Sequence, residues 1–253
     1  MTSQQHRDYG THNNQDAGYR KMSSFSSEEG VNEVWENEDR LGFIRKVYGI
    51  LSAQLLFTAF LCVLPYLSES FRLFMIQYWW IALLLGIGGI VLSCCLFCIP
   101  SMARTVPTNY YLMFAFTFCE GYIVAFCCAV TNDHLTVLSA AFFTAAIVIG
   151  LTIYAMTTKT DFTVCGGFLF MFGAVFVMFG IFSIFFGPTL RMIYCIIGVL
   201  LFGIYLIVDT QMIIGGKRRH VLSKEDYILG AIMLYLDIIN IFLFILEILG
   251  GNK

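Results

Sequence analysis

After a polar leading stretch, residues 1–42, apolar positions arrive in seven blocks bounded by charges, proline and glycine: 46–67, 75–99, 108–130, 135–156, 163–186, 191–214 and 227–249. Each block holds 22 to 25 residues. At a rise of about 1.5 Å per residue, that length crosses a hydrocarbon core of about 30 Å with some tilt. Lipid offers no hydrogen bonds to a bare backbone, so the blocks must be helices, and short connections leave no room for a soluble domain between them. The predicted fold is an all-α membrane protein, a seven-transmembrane-helix bundle.

The leading stretch is rich in Gly, Asn, Gln, Ser and acidic residues, with no apolar run that resembles a cleavable signal. It is predicted to be a disordered cytosolic tail up to about residue 33, with 33–45 as a short amphipathic surface helix. The first block then serves as the anchor.

Composition supports the membrane reading, since 58% of residues are hydrophobic and only 13% charged, against about a quarter charged in soluble domains. Net charge is −2, which gives a nucleic-acid partner no footing. Arg40, Arg45, Lys46, Arg104, Lys159, Lys217, Arg218, Arg219 and Lys224 flank the blocks on the tail's side, against Arg72, Arg191 and Lys253 on the other. Basic flanks mark the cytosolic side, so the N-terminus is expected in the cytosol and the C-terminus across the bilayer, opposite to G-protein-coupled receptors. In the fifth block Gly166, Gly173, Gly180 and Gly187 recur every seven residues, a pattern that predicts close backbone approach by a neighbouring helix.

Candidate chemistry lies in ionisable residues at membrane depth, which are costly and face the interior. The nine cysteines all fall in apolar blocks, and Cys94-Cys95-x-x-Cys98 lacks a neighbouring histidine, so they read as packing residues rather than a metal site or disulfide framework. No cofactor is expected. Asp209 lies five residues before the basic loop that joins the sixth and seventh blocks, roughly 8 Å below the boundary. With a helix capped by Ser223 and entering the membrane near Leu229, Asp237 lies about 12 Å deep. The two carboxyls can therefore meet. Two carboxylates in contact at low dielectric are expected to share a proton near neutral pH, which makes a pH sensor. Their oxygens, with an Asn240 carbonyl one turn on, also suit Ca²⁺ as metal ligands. The alternative is a buried structural hydrogen bond. Glu120, near the midplane of the third block, reads equally as part of a wet pathway or as a protonated acid bonded to a neighbouring helix. Glu247, close to the end of the seventh block, is set aside as interfacial.

Several segments resemble the transmembrane Bax inhibitor motif family, its lifeguard branch in particular. They are Phe43-Ile44-Arg45-Lys46-Val47-Tyr48 with Gln54-Leu55-Leu56, Thr158-Lys159-Thr160-Asp161-Phe162-Thr163 and Tyr205-Leu206-Ile207-Val208-Asp209-Thr210-Gln211. Ile214-Gly215-Gly216, Glu225-Asp226-Tyr227-Ile228 and Leu234-Tyr235-Leu236-Asp237-Ile238-Ile239-Asn240-Ile241-Phe242 follow in order. The resemblance implies a C-terminal helix that is central and wrapped by the other six. It also implies a calcium leak channel of intracellular membranes, endoplasmic reticulum or Golgi before plasma membrane, with an anti-apoptotic role and death-regulating membrane proteins as partners. Asp209 and Asp237 match the family's proton-sharing pair, Arg104 the basic residue that latches onto it, and Glu120 an acidic position of lifeguard-type members.

Aspartates on the sixth and seventh spans also mark presenilin-type intramembrane proteases. Those want Tyr-Asp and Gly-x-Gly-Asp, whereas this chain has Val208-Asp209 and Leu236-Asp237, so no enzyme is expected. A non-conducting regulator of other channels and a proton-coupled cation exchanger remain alternatives to the leak.

Overall fold

The computed structural model describes residues 38–185, 187–216 and 218–251, so the expected tail lies outside the described residues up to residue 37. Two units are distinguished, Met1–Phe43 and Ile44–Lys253. In the first, the Arg40 guanidinium covers the Phe43 ring at 4.7 Å.

Among the described residues, seven helices are long and apolar enough to cross a membrane: α1 (Glu38–Leu67), α3 (Trp80–Cys98), α5 (Thr108–Thr131), α6 (His134–Thr157), α7 (Gly166–Phe182, extended by a 3₁₀ turn, Phe162–Cys165), α8 (Pro188–Ile214) and α9 (Tyr227–Gly250). Two short helices, α2 (Glu69–Gln77) and α4 (Pro100–Arg104), fill connections. The chain is thus an all-helical multi-pass membrane protein.

Two element boundaries differ from the apolar pattern for local reasons. The second crossing begins at Trp80 rather than 75, because the Ser68 hydroxyl accepts from Phe71 N and starts a separate helix that ends at Gln77. At the other end of the chain α9 begins at Tyr227, not Ser223. Ser223 instead closes a turn, its carbonyl accepting from Asp226 N at 3.0 Å. The tight α5–α6 connection follows from Asn132, whose left-handed backbone (φ 50°) ends α5, and from Asp133, whose carboxylate accepts from Leu135 N to cap α6.

Burial ranks the helices. In α9, 61% of the apolar window is buried, against 11% in the α7 crossing, so α9 lies deepest and α7 turns most of its Phe-rich surface to lipid. α9 packs on α8, α6, α5 and α4.

The α7–α8 contact corrects the expected use of the glycine repeat. Only Gly173 and Gly180 meet a neighbour, and what they meet is a tyrosine ring rather than backbone: the Tyr205 phenol lies over Gly173 and the Tyr194 phenol over Gly180. Each hydroxyl then reaches an α7 carbonyl, Tyr205 to Leu169 at 2.6 Å and Tyr194 to Phe176 at 3.4 Å. Gly166 has nothing within 4 Å of an added Cβ, and neither has Gly187, which caps α8 rather than lying in α7.

Gly173→Ala should therefore destabilise relative to Gly166→Ala by about 1 kcal/mol or more, since the gain in helix propensity is common to both and only the first overpacks a ring. Thermal unfolding in detergent measures the difference, and equal midpoints would remove the notch.

Candidate functional site

α8 and α9 run antiparallel, and each carries one carboxyl into the bundle. Asp209 and Asp237 are 6% and 4% exposed. The structure sets the two carboxyls against each other across the α8–α9 contact. Asp237 Oδ2 has no hydrogen-bond partner among the described residues. Tyr205 lies nearby and Thr210 follows on α8; the buried Thr210 and Tyr48 hydroxyls face each other without completing a hydrogen bond of good geometry.

A second polar chain links α1, α5 and α9. Gln54 Nε2 donates to Thr117 Oγ1 at 2.8 Å, and Thr117 in turn donates to Met113 O at 2.8 Å. Thr58 and Tyr235 share a 2.8 Å hydroxyl contact. Glu120 stands apart from the aspartates, its Oε1 lodged where a Cβ on Gly89 of α3 would come within 2.7 Å. The Asn240 amide turns back on its own helix, donating to Leu236 O at 2.8 Å. Among the described residues no three His, Cys, Asp or Glu side chains gather into a metal-holding group. The two aspartates are thus the carboxylates at this place, and Glu120 is not a third.

Arg104 is where the resemblance misleads. Its guanidinium does not latch onto Asp209 or Asp237 but forks onto Asp226 at the start of α9, Nε to Oδ1 at 2.7 Å and Nη2 to Oδ2 at 2.8 Å, with Glu225 at 3.7 Å. The reason is position. Arg104 ends the short surface helix α4, and Asp226 is the first carboxylate it meets, presented by the loop before the bundle interior is reached. The planar fork matches a carboxylate with two parallel bonds.

The same loop is held at its other end by a clasp that sequence reasoning did not find. Gln211, two residues beyond Asp209 and fully buried, accepts from Phe162 N at 2.9 Å and donates to Thr160 O at 3.0 Å. Arg218 donates to the carbonyls of Thr160, Thr158 and Ala155 at 2.7, 3.1 and 3.3 Å, which satisfies orphan acceptors at the end of α6. Asp161 Oδ2 accepts from Arg219 N at 2.8 Å, and Thr163 Oγ1 from His220 N at 3.2 Å. Gly215 and Gly216, with φ of 74° and 79°, allow the chain to leave α8 toward this clasp.

A bundle of seven apolar helices with a carboxyl pair between its last two defines a multi-pass membrane protein built around intramembrane acids. Residues 40–253 match the family described as "Inhibitor of apoptosis-promoting Bax1", and the chain belongs to it. It is 33% identical over 235 residues to human Protein lifeguard 3, covering 88% of this chain and 73% of that one, and 36% identical over 216 residues to mouse Protein lifeguard 4, covering 85% and 87%. Mouse Protein lifeguard 3 is 33% identical over 232 residues, 86% and 72%. At family level this is an anti-apoptotic membrane protein, and those names point to a membrane regulator rather than an enzyme.

Gln211→Leu should cost about 1–3 kcal/mol, because it strands the half-buried Phe162 N–H and the Thr160 carbonyl; thermal unfolding reads the loss. The hydrogen bonds from the Thr163 hydroxyl and then the Arg219 amide hold the Asp161 carboxyl below the usual carboxylate range. A depressed native value means that the contribution is complete above about pH 4 and lost as the pH falls through that lower value. Protection of the Arg219 amide, read as the ratio of intrinsic to observed hydrogen-exchange rate at each pH, should fall on acidification in the wild type, and Asp161→Asn should abolish that response.

Proposed function

We propose that the chain is a pH-sensitive calcium leak channel of an intracellular membrane, endoplasmic reticulum or Golgi, with its N-terminus in the cytosol and a cytoprotective role exerted alongside death-regulating membrane proteins. The observation that carries the reading is the buried contact between Asp209 and Asp237 with one oxygen left unpartnered. Two ionised carboxylates offer acceptors only, so a hydrogen bond between them needs a proton on one. Loss of that proton converts a neutral contact into two like charges in a low-dielectric site, which must separate or gather a cation. A hard divalent cation with its water is what such oxygens accept. The pair is the switch and the site of passage in one, Asn240 and Glu120 supply polar oxygens elsewhere along the bundle, and the basic flanks at Arg104 and Arg218 support the cytosolic assignment of that end.

Purified protein in Ca²⁺-free liposomes should admit external Ca²⁺ with a pH dependence between about pH 5 and 8, where a coupled carboxyl pair titrates. Asp209→Asn and Asp237→Asn should each remove most of that dependence, and the double variant should add little, because the two act as one unit. Wild-type pH profiles in both single variants would make the pair structural, and no flux from the protein alone would favour a regulator of other channels.

The fork between Arg104 and Asp226 ties α4 to the residue that immediately precedes the helix carrying Asp237. Arg104→Ala and Asp226→Ala should raise basal flux by similar factors and combine without further gain. An unchanged rate in both would remove the fork from gating.

A further inference from the structure

A groove of about 650 Å³ is walled by α1 and α6 and floored by α5 and α9. Its walls follow helical periodicity: Ala59 and Val63 from α1 oppose Ala141 and Ala145 from α6, with Ile238 and Phe242 at the floor. The alanines make the space. Both α6 alanines and Ala59 are exposed, so the groove opens sideways rather than into the core.

We propose that this groove is a binding site for one acyl chain of a bilayer phospholipid, entering from the leaflet nearest the α5–α6 turn. Four observations choose that occupant. All four bordering helices are membrane-crossing, so the groove opens to hydrocarbon. The polar atoms along it are spoken for: the Tyr66 hydroxyl donates to Cys128 O at 2.7 Å, Thr144 to Ala140 O at 2.8 Å, and Thr58 pairs with Tyr235. Water inside would find too few partners to stay. The groove follows α6 from His134 to Ile149, about 22 Å at the helical rise, beyond the roughly 15 Å of one hydrocarbon leaflet that a lipid tail occupies. The one charge-capable side chain of the lining stands at one end, where His134 begins α6 beside the Asp133 cap, as a tail with its headgroup requires. Ile238 and Ile239 of the lining follow Asp237 directly, so the chain lies against the helix that carries one of the two carboxyls.

The test uses the full chain in phosphatidylcholine nanodiscs doped with a phosphatidylcholine that carries a diazirine midway along one tail. After irradiation, labelling mapped by peptide mass spectrometry should concentrate on α6 around Ala141 and Ala145 and on α1 around Ala59, several-fold above the lipid-facing surface of α7 at Phe170 and Phe172. Ala145→Phe fills the groove and should reduce the α6 label several-fold with the α7 label unchanged. Ala59→Leu, from the opposite wall, should do the same and decides the matter if the first variant is not monodisperse. Equal labelling of α6 and α7, or labelling indifferent to both substitutions, would show ordinary annular lipid and overturn the proposal. So would a groove protected from the lipid probe by a second copy, or one labelled preferentially by a diazirine sterol.

Discussion

Polar groups carried into hydrocarbon must find their partners inside the protein, and the pairing of α8 with α9 is organised around that constraint. An aspartate on one helix leaves a charge or a lone acid to be neutralised in lipid, a cost of about 3 kcal/mol or more; an aspartate on each of two packed helices lets one acid serve the other. The contact requires the two helices to approach closely, and Gly198, against which the Phe244 ring of α9 packs, permits it. The depth of α9 in the bundle follows, since a helix that carries Asp237 and Asn240 cannot face lipid on that side. The remaining helices are then free to be apolar, as α7 is.

Above the pair, the polar loop between α8 and α9 is fixed at both ends by different chemistry. One end is a charge fork, Arg104 on Asp226. The other is a set of carbonyl caps and amide contacts, Gln211 and Arg218 on the end of α6 and Asp161 on the Arg219 amide. Because Gln211 lies on the same helix as Asp209 and Asp226 immediately precedes the helix of Asp237, each attachment bears on one carboxyl. A change in the contact between the carboxyls thus has two mechanical routes outward, one to α4 and one to the α6–α7 connection.

The seven-helix architecture was legible because blocks of 22 or more apolar residues leave few alternatives, and the depth of Asp209 and Asp237 was legible because helical rise converts residue counts into distance. The register of the second crossing was not, since the chain breaks at Tyr78–Trp79 within an apolar stretch, after the short helix that Ser68 caps. Arg104 was assigned to Asp209 and Asp237 by resemblance, whereas its side chain pairs with Asp226, noted only as part of the motif Glu225–Ile228. The clasp around Gln211 escaped altogether. Its partners are backbone carbonyls and amides about fifty residues away, and backbone groups carry no sequence signal. The motifs Thr158–Thr163 and Tyr205–Gln211, noted separately, turn out to be its two halves.

The tyrosines seated over Gly173 and Gly180 also set how the bundle can answer a change in bilayer thickness. To slide α7 along α8 by one helical turn, about 5.4 Å, would drive both phenols against larger side chains and break both hydroxyl bonds at once. Translation of the outermost helix is therefore blocked, and hydrophobic mismatch at this face must be absorbed by tilting α7 and α8 together as one plank. Since α8 carries Asp209, a thicker or thinner membrane would tilt one of the two acids relative to the other, and the lipid around the protein becomes a mechanical input to its centre.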